Sequence, residues 1–440
     1  MKGCPWPLKR FGDLYVVPSR NGITRPGAVR GFGYKMINMG ELFAYPRLFD
    51  PEMERVKLNE DEKEKFNVLP FDLLFARQSL VAEGAGKCCI ALKVEVITTF
   101  ESHLIRVRLD PNLCDPLFYY YFFRSGTGFG AIQTLVNQVS AAGIRGSDLA
   151  KLKILYPPLE IQKKIAAILS AIDELIENNQ RRIALLEKMA EEIYREWFGR
   201  LRFPEHEKVK LIKGVPEGWS FDKASVFFGL VKGKSYAGEE LTEDIGHMPF
   251  ISLKSFNRGG GYREDGLKYY SGRYKPEQVV HQNDVVMAVT DMTQDRAVVG
   301  RVARMPDFGE RGAVISLDTV KLVPKRINKT FLYSYMRHSG FANFIKEFAN
   351  GANVLHLKPE LITQQKIIIP TEQLQNDFAP IVEPLYSEAD VLGEANSHLV
   401  KTRDALLPRL ISGKLAVENL DIKFPPSMAE ELKTEAAAHA

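Results

Sequence analysis

Between Pro157 and Phe198 the apolar residues recur at alternating steps of three and four. Ile165, Ile168, Ile172 and Leu175 are followed by Asn179, where an apolar residue belongs, and then by Leu186, Met189 and Ile193. This spacing predicts a long amphipathic helix with a coiled-coil seam. A second stretch repeats the pattern with Phe378, Ile381, Leu385, Leu392, Asn396, Leu399, Leu406 and Leu410. Both seams carry a central asparagine, which costs stability at such a position but fixes register and partner number, so the two segments read as partners for each other. The plainer alternative is that each helix packs only on its own globular neighbour. A run of about 39 helical residues would be about 58 Å long. Pro380 and Pro384 remove backbone donors, which predicts that the regular part of the second helix begins after Pro384 or is kinked before it. Gly413 marks a C-terminal stop.

The segments before each helix mix short apolar strands, amphipathic helices and glycine turns, and they correspond to one another. "CPWPLKRFGDLY" with Trp6 answers "PEGWSFDKASVFF" with Trp219, and "FDLLFAR" (Phe71 to Arg77) answers "NDVVMAV" (Asn283 to Val289). "LFYYYFFRSG" answers "FLYSYMRHSG", and "KILYPP" answers "KIIIP", all in the same order at shifts of about 212 to 214 residues. The predicted architecture is therefore α+β: globular domains over 1–156 and 214–369, two long antiparallel helices over 157–200 and 370–415 forming a coiled coil, a pseudo-two-fold internal repeat, and a loose tail over 416–440. The aromatic run Phe118 to Phe123 has the spacing of a packed helix and is read as core.

Composition narrows the classes. With 440 residues, 45% of them hydrophobic and 26% charged, the chain can bury more than one core. No apolar run reaches the roughly 20 residues that span a bilayer, so no membrane partner is expected and the cytoplasm is the expected location. The four cysteines, Cys4, Cys88, Cys89 and Cys114, form no CxxC and the eight histidines show no ligand spacing, which predicts no metal site and no cofactor. A net charge of +4 neither demands nor excludes nucleic acid.

The combination resembles the specificity subunits of type I restriction–modification systems. The resemblance spans nearly the whole chain and is carried by "VPEGW" (Val215 to Trp219), the strand Asp72 to Arg77, "YPPLEIQKKIAAIL" (Tyr156 to Leu169) and "RDALLPRLISGKL" (Arg403 to Leu415). The chain departs from the family pattern at Ile161, in a second lead-in that keeps only Gln375, and in lacking an arginine after Asp284 to match Arg77. The resemblance implies a non-catalytic subunit with two target-recognition domains, each reading one half of a split double-stranded DNA sequence. It also implies that the helices set the spacer and bind two methyltransferase subunits, with motor-nuclease subunits in the full complex. Equivalent grooves on one face of B-DNA lie about 34 Å apart, so two readers held at a fixed separation impose a split site.

Residues able to grip phosphates or read base edges then concentrate in glycine-rich loops. In the first block these are Arg77, Gln78, Ser79 and Lys87, and Asn137, Gln138, Ser140 and Arg145. In the second they are Thr290, Gln294 and Arg296, with Asn350, Asn353, His356 and Lys358 in a further loop. Lys254, Asn257, Arg258 and Arg263 line the cationic loop "KSFNRGGGYR". Each of these is also an ordinary solvated turn residue until geometry decides.

Two rival readings stand beside this one. A DNA adenine methyltransferase would use "DPLF" (Asp115 to Phe118) to hold a base and "GTGFG" (Gly126 to Gly130) for a cofactor, but no strand feeds those glycines and the second half has "KTFL" instead. A non-DNA scaffold would use the paired helices alone.

Overall fold

The computed structural model describes residues 5–79, 82–138, 142–426 and Met428. It divides into two compact units, residues 1–178 with 398–440, and residues 179–397. The two long helices run Leu159–Tyr194 and Glu372–Ile411, and each contributes one part to each unit.

In the first unit a five-stranded sheet has the order Tyr15–Asn21, Leu104–Leu109, Leu73–Ala76, Cys88–Lys93, Arg47–Phe49. Its pairs are antiparallel except the last, which is parallel. Side chains alternate across a strand. Leu73, Phe75, Ile105 and Val107 therefore enter one core while Leu74, Ala76 and Leu104 enter another on the opposite face. The first of these cores contains the helix Pro116–Arg124, whose residues Leu117 to Phe123 are all buried, as the aromatic run predicted. Ile161, Ile165, Ala166 and Leu169 of the first long helix close this core together with Leu407, Leu410 and Ile411 of the second.

The second unit repeats the plan. Its sheet has the order Phe228–Lys232, Thr319–Pro324, Val285–Ala288, Val302–Arg304, all antiparallel. Val285 and Met287 face a core with the helix Lys329–His338, and Val286 and Ala288 face the other side. Phe378, Val382 and Tyr386 of the second long helix and Ala190 and Tyr194 of the first complete it.

The repeat extends to backbone and hydrogen bonds. Phe71 and Asn283 hold the same left-handed conformation, φ 68° and 67°, before Asp72 and Asp284. Gly86 and Gly300 are left-handed at φ 79° and 77°, and their N–H groups donate to the carbonyls of Ala76 and Ala288 at 2.8 Å each. Leu8–Arg10 pairs with Lys153–Leu155 as Ser220–Lys223 pairs with Lys366–Ile369. Gln162 donates to the Pro157 carbonyl at 2.7 Å and accepts from the Asp115 N–H at 2.9 Å. Gln375 does the same with Pro370 and Asn328 at 2.9 and 2.8 Å.

Both units hold the helices side by side. In the second, Asn179 Nδ2 donates to Asn396 Oδ1 at 2.9 Å, and Arg182 pairs with Glu388 at 2.7 Å. In the first, Arg403 pairs with Asp173 at 2.8 Å. The seam needs correction at three places: Leu175, Met189 and Ile381 are 51%, 52% and 45% exposed, whereas Ile176, Ala190 and Val382, one residue on, are buried. The reason is that each helix packs on a globular core as well as on its partner. The buried face is rotated by the roughly 100° that one helical step represents.

Of the two proline alternatives a start after Pro384 is overturned, because the second helix is continuous from Glu372 through Pro380 and Pro384. Phe378, Val382 and Tyr386 are buried along that stretch and offset the missing donors. Gly413 ends the motif at φ 70°, its N–H donating to the Leu410 carbonyl at 3.1 Å. It lies so close to Pro5 and Trp6 that an added Cβ would meet them at 2.8 and 2.9 Å.

The segment after Leu415, expected to be loose, packs over its described part. Lys164 donates to the carbonyls of Glu418 and Leu420 at 2.6 and 2.9 Å, and Val417 and Met428 enter the first core.

Candidate nucleic-acid interface

In the first unit the two loops chosen from sequence are stitched into one surface. Gln78–Ser79 pairs antiparallel with Ala142–Gly143, which pairs with Asn137–Gln138. The Ile144 N–H donates to the Arg77 carbonyl at 2.9 Å and fixes their register. Asn137 and Gln138 enter through this backbone pairing, and Ser140 lies outside the described residues. The Arg77 guanidinium donates to the Ser102 carbonyl at 3.2 Å, and Arg145 stands exposed at the start of the helix Gly146–Lys151. Between the two arginines lies an open cleft of about 370 Å³, lined by Ser19, Asn21, Arg77, Arg145, Gly146 and Ser147. Gln78 is exposed and Ser79 half-buried. Lys87 is exposed with its Nζ 5.4 Å from the Phe43 ring centre, outside the cleft.

The second unit joins its two loops in the same way. Thr290–Asp291 pairs antiparallel with Leu355–His356, and the Leu357 N–H donates to the Val289 carbonyl at 2.8 Å. Asn350 and His356 exchange backbone hydrogen bonds at 3.1 and 2.9 Å. Most of the polar residues singled out here hold the loop itself. The Thr290 hydroxyl is turned inward on a buried residue, 3.5 Å from His356 Nδ1, so Thr290 is corrected from a DNA-facing to an interior position. Gln294 donates to the Ala352 carbonyl at 3.0 Å, and Arg296 is ion-paired with Glu347. Asn257 donates to the Tyr262 carbonyl at 2.9 Å across three left-handed glycines, Gly259 to Gly261, while Arg258 pairs with Asp295 at 3.3 Å and Arg263 with Asp265. Lys254, Asn353 and Lys358 are exposed.

Sequence reasoning missed Asp291, which organises this loop. Its carboxylate accepts from the backbone of Val298, Thr293 and Val299 at 2.7, 2.9 and 3.1 Å, and from the Thr293 hydroxyl at 2.8 Å. Burial pushes the carboxyl up, but these donors outweigh it and hold the group below the usual carboxylate range. It also missed Ser19 and Asn21, whose only signal is a polar strand end, "PSRNG", after an apolar start.

The residues that suggested a methyltransferase are occupied otherwise. Asp115 caps the helix Pro116–Arg124, accepting from the Phe118 N–H at 2.7 Å, and Pro116 takes its first turn. Gly126 to Gly130 lie inside the helix Gly126–Gln133, capped by Ser125.

The fold and the paired loops define a duplicated, two-unit protein built on a shared pair of helices. A family model described as "Type I restriction modification DNA specificity domain" matches residues 32–188. The chain is 27% identical over 318 residues to the type I restriction enzyme MjaIX specificity subunit of Methanocaldococcus jannaschii, covering 69% of this chain and 70% of that one. It is 23% identical over 424 residues to the putative MjaX specificity subunit of the same organism, covering 94% of each. The type I restriction–modification S subunit from M. genitalium shares the fold, with a TM-score of 0.57 at 19% identity over 93% of this chain and 97% of that one. The chain is thus similar to type I restriction–modification specificity subunits, in the family model over residues 32–188 and in the curated relatives over most of its length.

Proposed function

We propose that this chain is the DNA-recognition subunit of a type I restriction–modification complex, in which blocks 1–156 and 214–369 act as target-recognition domains that each read one half of a split site. The helices would set the spacer and hold two methyltransferase subunits. Methylation and cutting would fall to those subunits and to motor-nuclease subunits, with this chain performing no chemistry, in the cytoplasm. The observation that carries the reading is the duplicated loop pair: each unit joins two distant polar loops by a short antiparallel pairing and the same flanking hydrogen bond. Two copies of a reader suit a two-part site, whereas a catalytic centre needs only one copy.

The test is a genome-wide map of N6-methyladenine in cells carrying the cognate methyltransferase subunit, with and without this chain. A split motif that appears only with the chain is expected. Methylation that is unchanged while the partner still co-purifies would leave a protein scaffold instead.

A further inference from the structure

The two readers are not equivalent at the cleft. Hydrogen-bond register identifies the matching positions. Asn21 pairs with Ile105, which pairs with Phe75; Lys232 pairs with Val320, which pairs with Met287. Arg77 and Val289 accept the equivalent bonds from Ile144 and Leu357. Arg145 and Lys358 each precede a short helix, Gly146–Lys151 and Pro359–Gln364, which places Ser147 opposite Glu360.

The six described residues lining the first cleft bring two guanidinium groups, two hydroxyls and an amide, and no carboxylate. At the same place the second unit has Val289 for Arg77 and an ion pair, Lys232 to Glu360 at 2.7 Å, across the positions of Asn21 and Ser147. A site of donors with two fixed positive charges favours an anion, and guanidinium groups match the geometry of a phosphate. A Cβ on Gly146 would meet the Ser19 hydroxyl at 2.9 Å, so a larger residue there would turn that hydroxyl aside.

We propose that this cleft grips one backbone phosphate of the DNA, and that the first unit alone carries this grip. Arg145, with Arg77 behind it, holds the phosphate oxygens, and Ser19, Asn21 and Ser147 supply neutral donors. The second unit keeps a cation, Lys358, at the place of Arg145, but it has Val289 for Arg77 and sets Glu360 against Lys232. The proposal rests on the DNA-recognition reading and adds to it an unequal hold on the two half-sites.

The test uses the complex assembled with its methyltransferase subunits, on its cognate duplex. Two variants are compared with the unaltered chain: Arg145→Gln, and Ser147→Glu, which places the second unit's acid in the cleft without touching either arginine. Both are expected to flatten the slope of log affinity against log salt by about 0.9, the value of one lost phosphate contact on duplex DNA, and to leave the methylated motif unchanged. Ethylation interference is expected to mark one phosphate in the half-site read by the first block and to lose that mark in both variants. An unchanged slope with an unchanged interference pattern overturns the proposal while leaving DNA recognition intact. A changed base preference in one half-site also overturns it, since the cleft would then read a base edge. Failure of the unaltered complex to bind DNA overturns both readings.

Discussion

Gln162 and Gln375 show how a short motif can be visible without its reason being visible. The second lead-in keeps little of the pattern but keeps Gln375, and the structure explains what that glutamine does. Its amide joins the carbonyl of the lead-in proline to the N–H of the residue capping the preceding domain helix, so each glutamine locks a globular block to its long helix. No neutral side chain of other length supplies a donor and an acceptor at that reach. Gln162→Ala or Gln375→Ala strands two buried backbone groups and is expected to cost about 2–4 kcal/mol, read from urea denaturation. A loss below about 0.5 kcal/mol would show that the lock contributes nothing. Nothing in the sequence pointed to His338, whose role is set wholly by its surroundings. Burial lowers its pKa to about 3, helped by the positive charges of Arg337, Arg195 and Lys188, and its Nε2 lies 3.2 Å from the Tyr386 hydroxyl. A depressed histidine stays neutral when folded while the unfolded chain takes up a proton below about pH 6.5. Stability contributed by the neutral ring is therefore present above pH 6.5 and is lost as pH falls from there towards 3. His338→Gln is expected to flatten the fall in denaturation midpoint between pH 6.5 and 4.5; an unaltered slope would sink the assignment.

At the scale of elements, the long helices were legible because heptad spacing survives any detail of packing, and the asparagines stood out against it. The direct bond between Asn179 and Asn396 gives each a partner that no apolar residue could satisfy. Asn179→Leu leaves the Asn396 amide facing a methyl group. It is expected to keep the chain folded while broadening the spacer length of the methylated motif, and a motif with one unchanged spacer length would count against a register role. What spacing could not show is that the helices serve two neighbours at once. Arg47 is one cause: from an edge strand it reaches the first long helix, 3.1 Å from Glu177 and 3.5 Å from Asp173, and donates to the Tyr121 hydroxyl at 3.1 Å. Arg304 does the same to the second helix through Glu383 at 2.6 Å. Neither arginine belongs to a motif, and their contacts join residues more than 70 positions apart. With such anchors the helix faces its own core, which is why Leu175 and Met189 stay at the surface and why Pro380 and Pro384 do not break the run.

Across the whole molecule the duplication was the most legible feature, since it rests on backbone demands that both halves meet with different residues. Phe71 and Asn283 share a left-handed turn without sharing a side chain. The candidate interface was legible only as loops. Which of its side chains face outward was decided by local partners, Asp291 for Thr293 and Glu347 for Arg296, that a linear reading has no means of assigning.

The contact of Gly413 with Pro5 and Trp6 has one more consequence. The end of the second long helix lies against the start of the described chain, and the first unit is assembled from both chain ends. That contact makes the linear order of the two halves open to test. A circular permutant that begins within 201–214 and joins the old ends through a flexible linker is expected to fold, to bind its methyltransferase subunits and to direct methylation to the same split motif. Loss of folding in that permutant would show that the present opening is required. Its success would mean that which half-site is read by the first half of the gene carries no structural information, and that a recombining genome can exchange, reverse or fuse such halves without redesigning the protein.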